Sequence, residues 1–195
     1  LIKIIKSFGS YNLRFNYKKK NFLFDTAKAF ADRNENVYLK GNYKINKEIP
    51  KIKRSLELRF KSLNFPLKKI KNLKALDAGC GAGRFTYALS LFKPKKIFGL
   101  DLSFGNIKIA KKVFKRKNIR FLQGNALNLP FEKSTFDFVY SSGVIHHTSN
   151  FRKGLKELIR VCKKDGHIYL YIYAKGGIYW QARAFMNKIM KKIPQ

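Results

Sequence analysis

The chain has 195 residues, of which 45% are hydrophobic, so it can bury a packed core and is not a disordered chain. Lys and Arg number 43 and Asp and Glu number 11, which gives a formal net charge of +32. Such a charge attracts RNA and anionic membrane surfaces, although a composition rich in Lys, Asn and Ile explains part of it.

The pattern of the sequence changes near residue 70 and divides the chain into two predicted parts. Residues 1–69 predict a basic, mostly helical N-terminal extension, and residues 70–195 predict a domain of alternating strands and helices. Residues 1–20 carry aromatic side chains among lysines and fit an arm, a strand pair or a trimmed remnant. Two helices are predicted in the extension, over residues 21–31 and 47–65.

From residue 70 onward, short apolar segments alternate with amphipathic ones, which is typical of an α/β fold with a doubly wound parallel sheet. The predicted strands are residues 74–78, 96–100, 119–123, 136–140 and 166–173. The predicted helices are residues 84–92, 104–114, 150–162 and 177–192. Asn150 is the expected N-cap of the third of these helices. Ligands bind such sheets outside the carboxyl ends of the strands.

Two cysteines and three histidines do not produce the spacing of a zinc site, so we expect no metal. The low cysteine content fits the reducing cytosol. No apolar run approaches the roughly 18 residues that a membrane-crossing helix needs. We therefore expect a cytoplasmic protein.

The strongest motif is LDAGCGAGRFT over residues 76–86, which follows a predicted strand and opens a predicted helix. Gly79, Gly81 and Gly83 remove side chains where the backbone must turn tightly and approach a ligand. The nicotinamide fingerprint Gly-x-Gly-x-x-Gly does not fit, because Arg84 stands where its third glycine would be. A P-loop is excluded because no Gly-Lys-Ser/Thr sequence is present.

This stretch resembles the first motif of class I S-adenosylmethionine (SAM)-dependent methyltransferases, of the methyltransferase type 11-like kind. Further segments resemble the later motifs in the same order, namely GLDLS, GNALNLPF, FDFVYSSGVIHHT and LIRVCKKDGH, from residues 99, 124, 136 and 158. The resemblance covers about residues 70–175 and implies the Rossmann-like fold, SAM as cofactor and methyl transfer as the activity.

The resemblance also implies roles for individual residues. Asp101 would accept hydrogen bonds from the ribose hydroxyls, although it also fits an acid at a helix N-terminus. Asp77 would organise the loop and the methionine ammonium, or only cap the loop, and Asn125 stands where the family has an adenine-binding Asp. The full set of implied cofactor-binding residues is Asp77, Gly79, Cys80, Gly81, Gly83, Asp101, Leu102, Asn125, Ala126 and Ser141.

His146 and His147 are the candidate catalytic residues, because they lie on the loop after the fourth strand, where the acceptor would meet the methyl group. A histidine there can act as a general base near neutral pH, or it can shape the pocket without taking a proton. Methyl transfer from a sulfonium is an in-line displacement, so alignment alone can supply much of the rate.

The resemblance also leads us to expect that the chain is part of a longer protein. It begins with Leu1 rather than Met, and five strands are predicted where the family has seven. We expect the last two strands to be missing, which would leave an exposed sheet edge.

Three functions remain open on the sequence alone. The first is a methyltransferase acting on a small-molecule or lipid-like acceptor, which the segment Val-Ile-His-His-Thr favours by resemblance. The second is a tRNA methyltransferase, which the +32 charge favours, together with a resemblance of the segments Leu-Pro-Phe and Ile-His-His to wobble-uridine methyltransferases. The third is a non-catalytic SAM-binding partner subunit. The oligomeric state is not predicted.

Overall fold

A computed structural model describes residues 45–172 together with the short segment 3–6. For residues 3–6, 45 and 46, the backbone alone is described. The helices predicted over residues 21–31 and 177–192 lie outside the described residues.

Six strands and four α-helices are present in the described part of the chain. The strands are β1 (Lys3–Lys6), β2 (Lys74–Ala78), β3 (Lys96–Asp101), β4 (Ile119–Gln123), β5 (Phe136–Ser142) and β6 (Cys162–Tyr171). The α-helices are α1 (Ile45–Lys61), α2 (Arg84–Ser90), α3 (Phe104–Val113) and α4 (Phe151–Val161). Short 3-10 helices cover Leu67–Ile70 and Ile145–His147.

The six strands form one sheet in the order β1-β6-β5-β2-β3-β4, and every neighbouring pair is parallel. The five strands predicted from the sequence are all present, which confirms the doubly wound α/β fold. The chain runs outward from β2 through β3 to β4 and then returns to place β5 on the other side of β2. This reversal puts the switch point, where such sheets bind ligands, at the carboxyl ends of β2 and β5.

The sheet gains one strand from the N-terminal extension. β1 pairs in parallel with β6, with Lys3 opposite His167 and Lys6 opposite Leu170. A segment that fitted an arm or a strand pair therefore supplies a sheet strand, and the edge of β6 is paired along these residues rather than exposed. The expectation of an exposed edge is wrong at this place, because β1 satisfies main-chain groups of β6. Further strands of the family would follow residue 172, outside the described residues.

Two predicted boundaries shift by four residues. Helix α1 ends at Lys61, before the predicted residue 65, because the chain turns at Asn64 with a φ of 53°. Strand β6 begins at Cys162 rather than at residue 166, because Cys162 pairs with Phe136. The predicted cap of α4 is confirmed, since the side chain of Asn150 accepts a hydrogen bond of 2.9 Å from the backbone N–H of Lys153.

Helices cover both faces of the sheet. Helices α1, α2 and α3 contribute to one buried cluster with strand residues such as Ala75, Tyr140 and Tyr169. Helix α4 packs on the opposite face, where Leu158 lies in a second cluster with Leu76. Burial of these apolar faces is the main contribution that holds the layers together. Helix α1 therefore covers the same face of the sheet as the helix that follows the glycine-rich turn.

Candidate functional site

The glycine-rich turn connects β2 to α2 at the carboxyl edge of the sheet. Gly79, Gly81 and Gly83 have φ values of 85°, 54° and 89°, in the left-handed region that favours glycine. The backbone N–H groups of Gly79 and Cys80 donate to the carbonyl of Leu100, at 2.7 and 2.9 Å. These two hydrogen bonds fix the turn to the end of β3. The turn therefore holds its backbone in a defined position, as expected for a glycine-rich loop that a ligand approaches closely.

The three glycines differ in what surrounds them. A Cβ atom added at Gly79 would lie 2.3 Å from a methyl carbon of Val144, and one at Gly83 would lie 2.8 Å from the ring of Phe121. A Cβ added at Gly81 would meet no heavy atom within 4 Å. Packing therefore excludes side chains at Gly79 and Gly83, whereas Gly81 faces open space.

Asp101 ends β3 beside this open space. One carboxylate oxygen accepts a hydrogen bond of 2.8 Å from the N–H of Gly81. The other accepts from the N–H of Ser103 at 3.0 Å and from the side-chain amide of Asn106 at 3.2 Å. An ionised carboxylate has about four acceptor positions, so one position remains. Asp101 thus binds the start of α3, which is one of the two alternatives predicted for it, and one acceptor position remains for the other alternative, a ligand hydroxyl.

Asp77 lies on β2 below the turn and is buried. Its carboxylate accepts a hydrogen bond of 2.6 Å from the hydroxyl of Thr86 on α2. Burial raises the pKa of Asp77 to about 7; the Thr86 hydrogen bond opposes this rise and the charge of Asp101 adds to it. We call the open space beside Gly81 and Asp101 the crevice. A cation bound there, such as an ammonium group, would favour the ionised form of Asp77.

The loop after β4 carries Asn125 and Ala126, the two residues predicted to lie beside the adenine. Asn125 is exposed, and its amide oxygen accepts a hydrogen bond of 2.8 Å from the N–H of Leu127. Ala126 is buried, whereas Leu102, next to Asp101, is 49% exposed. Leu102 therefore offers an apolar surface beside Asp101, and the Asn125 oxygen has one of its two acceptor positions left.

Helix α4 holds this loop in place through two residues that the sequence did not suggest. Glu157 and Arg160 form an ion pair, with the Nε of Arg160 2.7 Å from Oε1 and an Nη 2.8 Å from Oε2 of Glu157. Arg160 also donates to the carbonyl of Phe131 at 2.7 Å, and Glu157 accepts from the N–H of Leu129 at 2.7 Å. Glu157 and Arg160 are three residues apart, which is the spacing of an ordinary ion pair on a helix surface. The sequence therefore does not show that they hold a loop.

Two predicted cofactor-binding residues lie in the walls of the crevice. Ser141 is fully buried, and its hydroxyl donates to the carbonyl of Ala78 at 3.0 Å. Cys80 is buried, which raises the pKa of its thiol, and its Sγ lies 3.4 Å from the carbonyl of Gly81. These contacts support the ends of β2 and of the turn, and neither side chain presents a polar group to solvent.

His146 and His147 lie on the 3-10 helix after β5, with ring centroids 3.9 Å apart. His146 is buried and His147 is exposed. Burial and the neighbouring His147 lower the pKa of His146 to about 4, and desolvation lowers the pKa of His147. Both rings are neutral at pH 7. A general base works best with a pKa near the working pH, and the pKa of His146 lies well below pH 7.

The structure brings the predicted residues from different motifs to one edge of the sheet. The turn at Gly81 and the carboxylate of Asp101 are in direct contact, and Asp77 lies beneath them. Thr86 and Asn106 fix these two carboxylates and were not predicted, although Thr86 ends the quoted motif. Asn106 had a weak signal, as a polar residue in the buried face of a helix.

Neither a metal centre nor a membrane span is found in the part of the chain that the structure describes. There, no three His, Cys, Asp or Glu side chains are placed to hold a metal ion. No helix within residues 45–172 combines the length and the apolar character that crossing a membrane requires.

Comparisons with known proteins agree with this geometry. The family model for a methyltransferase domain matches residues 76–170. Demethylmenaquinone methyltransferase of Lactococcus lactis is 43% identical over 101 residues, which are 49% of this chain and 40% of that protein. YcgJ of Bacillus subtilis, known as an uncharacterised methyltransferase, is 36% identical over 100 residues, which are 50% of this chain and 39% of that protein.

Solved structures show the same fold. The crystal structure of YcgJ aligns with a TM-score of 0.53 and 29% identity, over 71% of this chain and 58% of that one. The PH0226 protein of Pyrococcus horikoshii aligns with a TM-score of 0.56 and 25% identity, over 83% of this chain and 69% of that one. The chain matches about two fifths of the length of these curated relatives. Residues 76–170 therefore match a methyltransferase domain, and the described sheet has the Rossmann-like fold of class I methyltransferases.

Proposed function

We propose that this protein transfers a methyl group from SAM to a small, lipid-like acceptor in the cytoplasm. The observation that carries the proposal is the open space at Gly81, bordered by the carboxylate of Asp101. A turn that has no side chain at Gly81, next to a fixed carboxylate, suits a ligand that carries vicinal hydroxyls and a cationic group.

The residues of the crevice fit the parts of SAM. Asp101 has one acceptor position left for a ribose hydroxyl, and Leu102 has an exposed apolar side chain for the adenine ring. Asp77, with its raised pKa, would ionise against the ammonium of the methionine part. Asn125 retains an amide donor and one acceptor position for the adenine edge. Bound SAM supplies an electrophilic methyl group on a positively charged sulfur.

The contribution of the chain to the reaction is positioning. The turn at Gly79–Gly83 is fixed to β3, and the loop after β4 is fixed to α4, so both sides of the crevice are rigid before a ligand binds. Preorganised alignment of this kind supplies much of the rate of an in-line displacement. The low pKa of His146 leaves it a weak base, so we propose that it shapes the pocket.

The acceptor is proposed from the relatives. The Lactococcus relative is named a demethylmenaquinone methyltransferase, and a quinone of that kind is a lipid-like small molecule. By contrast, RNA as the acceptor is supported by the +32 charge, which is a property of the whole sequence, and by the resemblance of two short segments to wobble-uridine methyltransferases.

The proposal is tested with the full-length protein and SAM labelled in the methyl group. We expect calorimetry to show SAM binding, and label to appear in an isoprenoid-substituted naphthohydroquinone but not in tRNA. Transfer to tRNA instead would replace the small-molecule acceptor by RNA. SAM binding without transfer to an organic extract or to total RNA would favour the non-catalytic partner subunit, and absence of SAM binding would contradict the proposal.

A further inference from the structure

The outer side of helix α3 and the segment that leads from it into β4 carry positive charge without negative charge. Residues 102–131 contain neither Asp nor Glu, although the whole chain has 11 acidic residues. The Lys and Arg residues of this segment are all exposed. We refer to these seven residues as the basic face, which consists of Lys108, Lys111, Lys112, Lys115, Arg116, Lys117 and Arg120.

The charges of the basic face are not neutralised by the residues that the structure describes. The Nη1 of Arg120 donates to main-chain carbonyls, at 2.9 Å to Ile119 and at 3.4 Å to Lys117. The Arg116 guanidinium lies 5.8 Å from the ring centre of Tyr87. Like charges on one face repel one another, and an anionic partner removes that repulsion. The described ion pairs involve acids on other elements, namely Glu48, Glu57, Asp137 and Glu157.

Five residues of the basic face line a groove between the end of α3 and the edge strand β4. The groove has a volume of about 640 Å³, and no carboxylate is found among the described residues that line it. Phe114 and Leu122 contribute to its apolar lining. A groove of about 490 Å³ beside α1 differs, because Glu57 lines it together with Lys61 and Lys68. The groove at β4 therefore fits a ligand that joins an anionic group to an apolar one.

An exposed aromatic side chain lies at the end of α3 that is nearest the crevice. Phe104 is 66% exposed, in the first turn of the helix and three residues after Asp101. It precedes Lys108 by four residues, so the two side chains share one face of the helix. The opposite face of α3 packs in the core through Ile107 and Ala110. A row of lysines with an exposed ring at one end is an arrangement suited to lying on a lipid surface.

We propose that the basic face and Phe104 bind the surface of an anionic lipid bilayer, and that the groove at β4 receives an anionic headgroup there. Each lysine held near such a surface raises the binding constant roughly fivefold. RNA would be attracted by the same charges. The apolar lining of the groove and the exposed Phe104 favour a lipid, because a lipid carries hydrocarbon next to its phosphate, whereas ribose joins the phosphates of RNA.

The binding itself goes beyond the proposed function, whereas its benefit rests on that function. Asp101 borders the crevice, and Phe104 begins the helix that Asp101 holds through Ser103 and Asn106. A bilayer that contacts Phe104 therefore lies next to the crevice. A lipid-like acceptor is dissolved in the bilayer, so docking there shortens its path to the methyl group.

The test is sedimentation of the full-length protein with vesicles made of equal amounts of phosphatidylcholine and phosphatidylglycerol, without SAM and at physiological ionic strength. We expect Lys108→Gln/Lys111→Gln/Lys112→Gln to lower the vesicle partition coefficient by roughly a hundredfold, at about fivefold for each lysine. Phe104→Ala leaves the net charge unchanged, and we expect it to lower the coefficient by roughly tenfold, because the ring no longer enters the interface.

Lys68→Gln/Lys69→Gln/Lys71→Gln is the matched control. It removes three charges from exposed positions that precede β2, outside the basic face. We expect it to lower the partition coefficient by less than about threefold, because salt screens charges that lie more than a Debye length from the vesicle. Since all the substituted residues are exposed, urea denaturation should give an unchanged free energy of unfolding for both triple variants.

Several outcomes would overturn the inference while leaving the proposed function intact. One is an equal loss of vesicle binding in the two triple variants, since binding would then follow the net charge alone. Another is a wild-type protein that does not sediment with these vesicles, or that sediments equally with phosphatidylcholine alone. A third is a triple variant of the basic face that loses affinity for tRNA but not for the vesicles, which would assign this face to RNA. Calorimetry in which the wild-type protein fails to bind SAM would contradict the proposed function and leave the vesicle result unaffected.

Discussion

The turn between β2 and α2 and the carboxyl ends of β5 and β6 are built in opposite ways. The turn consists mainly of backbone with small side chains, and its Gly81 contacts the carboxylate of Asp101 directly. The β5–β6 region consists of large side chains from distant parts of the chain, namely the stacked rings of Tyr140 and Tyr169, with Arg59 from α1 over the ring of Tyr171. The turn depends on residues that lie close together in the sequence, whereas the β5–β6 region depends on which distant elements pack together. The residues of the first region can therefore be identified from the sequence, and those of the second region cannot.

The largest expected effect tests whether the glycines of the turn serve packing or binding. Gly79→Ala places a Cβ 2.3 Å from Val144 at a φ of 85°, so we expect the free energy of unfolding to fall by about 4 kcal/mol. Gly81→Ala meets open space, so only its φ of 54° costs stability, about 1–2 kcal/mol. Urea denaturation measures both changes.

Gly81→Ala also separates stability from binding. Because the added methyl group projects into the crevice, we expect its SAM affinity to fall by about tenfold or more in calorimetry. Unchanged SAM affinity in a folded Gly81→Ala protein would mean that the cofactor does not approach this turn.

The next effect concerns the pH dependence of stability and compares Asp77 with His146, both of which are buried. Asp77 has a folded pKa of about 7 against an ordinary value of 3.8, so the folded state holds a proton that the unfolded state releases. Its contribution to stability is therefore lost as pH rises from about 4 to 7, and Asp77→Asn should gain up to about 3 kcal/mol above pH 7. His146 has a folded pKa of about 4 against 6.5, so its contribution is lost as pH falls through that range.

His146→Gln should therefore relieve destabilisation at pH 4 to 5 and change little at pH 7, the opposite of Asp77→Asn. Thermal unfolding of both variants from pH 4 to 8 measures the two slopes, with the wild-type protein as reference. Parallel slopes for the two variants would show that burial does not control these residues as described.

A smaller effect tests the carboxylate at the end of β3. Asp101→Ala removes an acceptor for the cofactor, so we expect SAM binding to weaken by about 1.5–3 kcal/mol, the range for hydrogen bonds to a charged group. Asp101→Asn is the control for folding, because one oxygen remains to accept the N–H of Gly81 or Ser103. Calorimetry that shows equal affinity for wild type and Asp101→Ala would remove the ribose role from Asp101.

The smallest effect concerns Asn125, where this chain departs from the family. Its amide oxygen already accepts the N–H of Leu127, and an aspartate would make the same bond. We expect Asn125→Asp to change the SAM affinity by less than about 0.5 kcal/mol, because the residue is exposed and solvent screens the added charge. A gain of tenfold or more would show that the missing charge limits binding.

The elements with strong local signals were predicted correctly from the sequence. The five strands and the Asn150 cap follow from apolar periodicity and capping chemistry, and the structure confirms them. The start of β6 at Cys162 was missed, since its pairing with Phe136 is a contact between distant residues. The role of β1 was left open for the same reason: Ile4 and Ile5 favour a strand, but no local pattern shows which sheet edge will pair with it.

The residues of the candidate site also separate into those with a local sequence signal and those without one. The sequence pointed to Gly79, Gly81, Asp77 and Asp101, because their chemistry lies in motifs a few residues long. It did not point to Arg160, which supports the loop after β4 through main-chain carbonyls, or to Arg59, which reaches the β6 rings from α1. Such contacts depend on which elements pack together, and no local pattern encodes that.

By itself, the amino-acid sequence determined the strand–helix alternation, the glycine-rich turn after the first strand of that repeat and the acid that ends the next strand, and with them the resemblance to a methyltransferase domain. Only the tertiary structure decided that Gly81 faces open space, that three donors fix Asp101, and that two tyrosine hydroxyls are buried beside Arg59. The physical reason is that these properties depend on contacts over different distances along the chain. Backbone conformation responds to neighbouring residues, whereas burial and the pairing of polar groups respond to every element that packs around them.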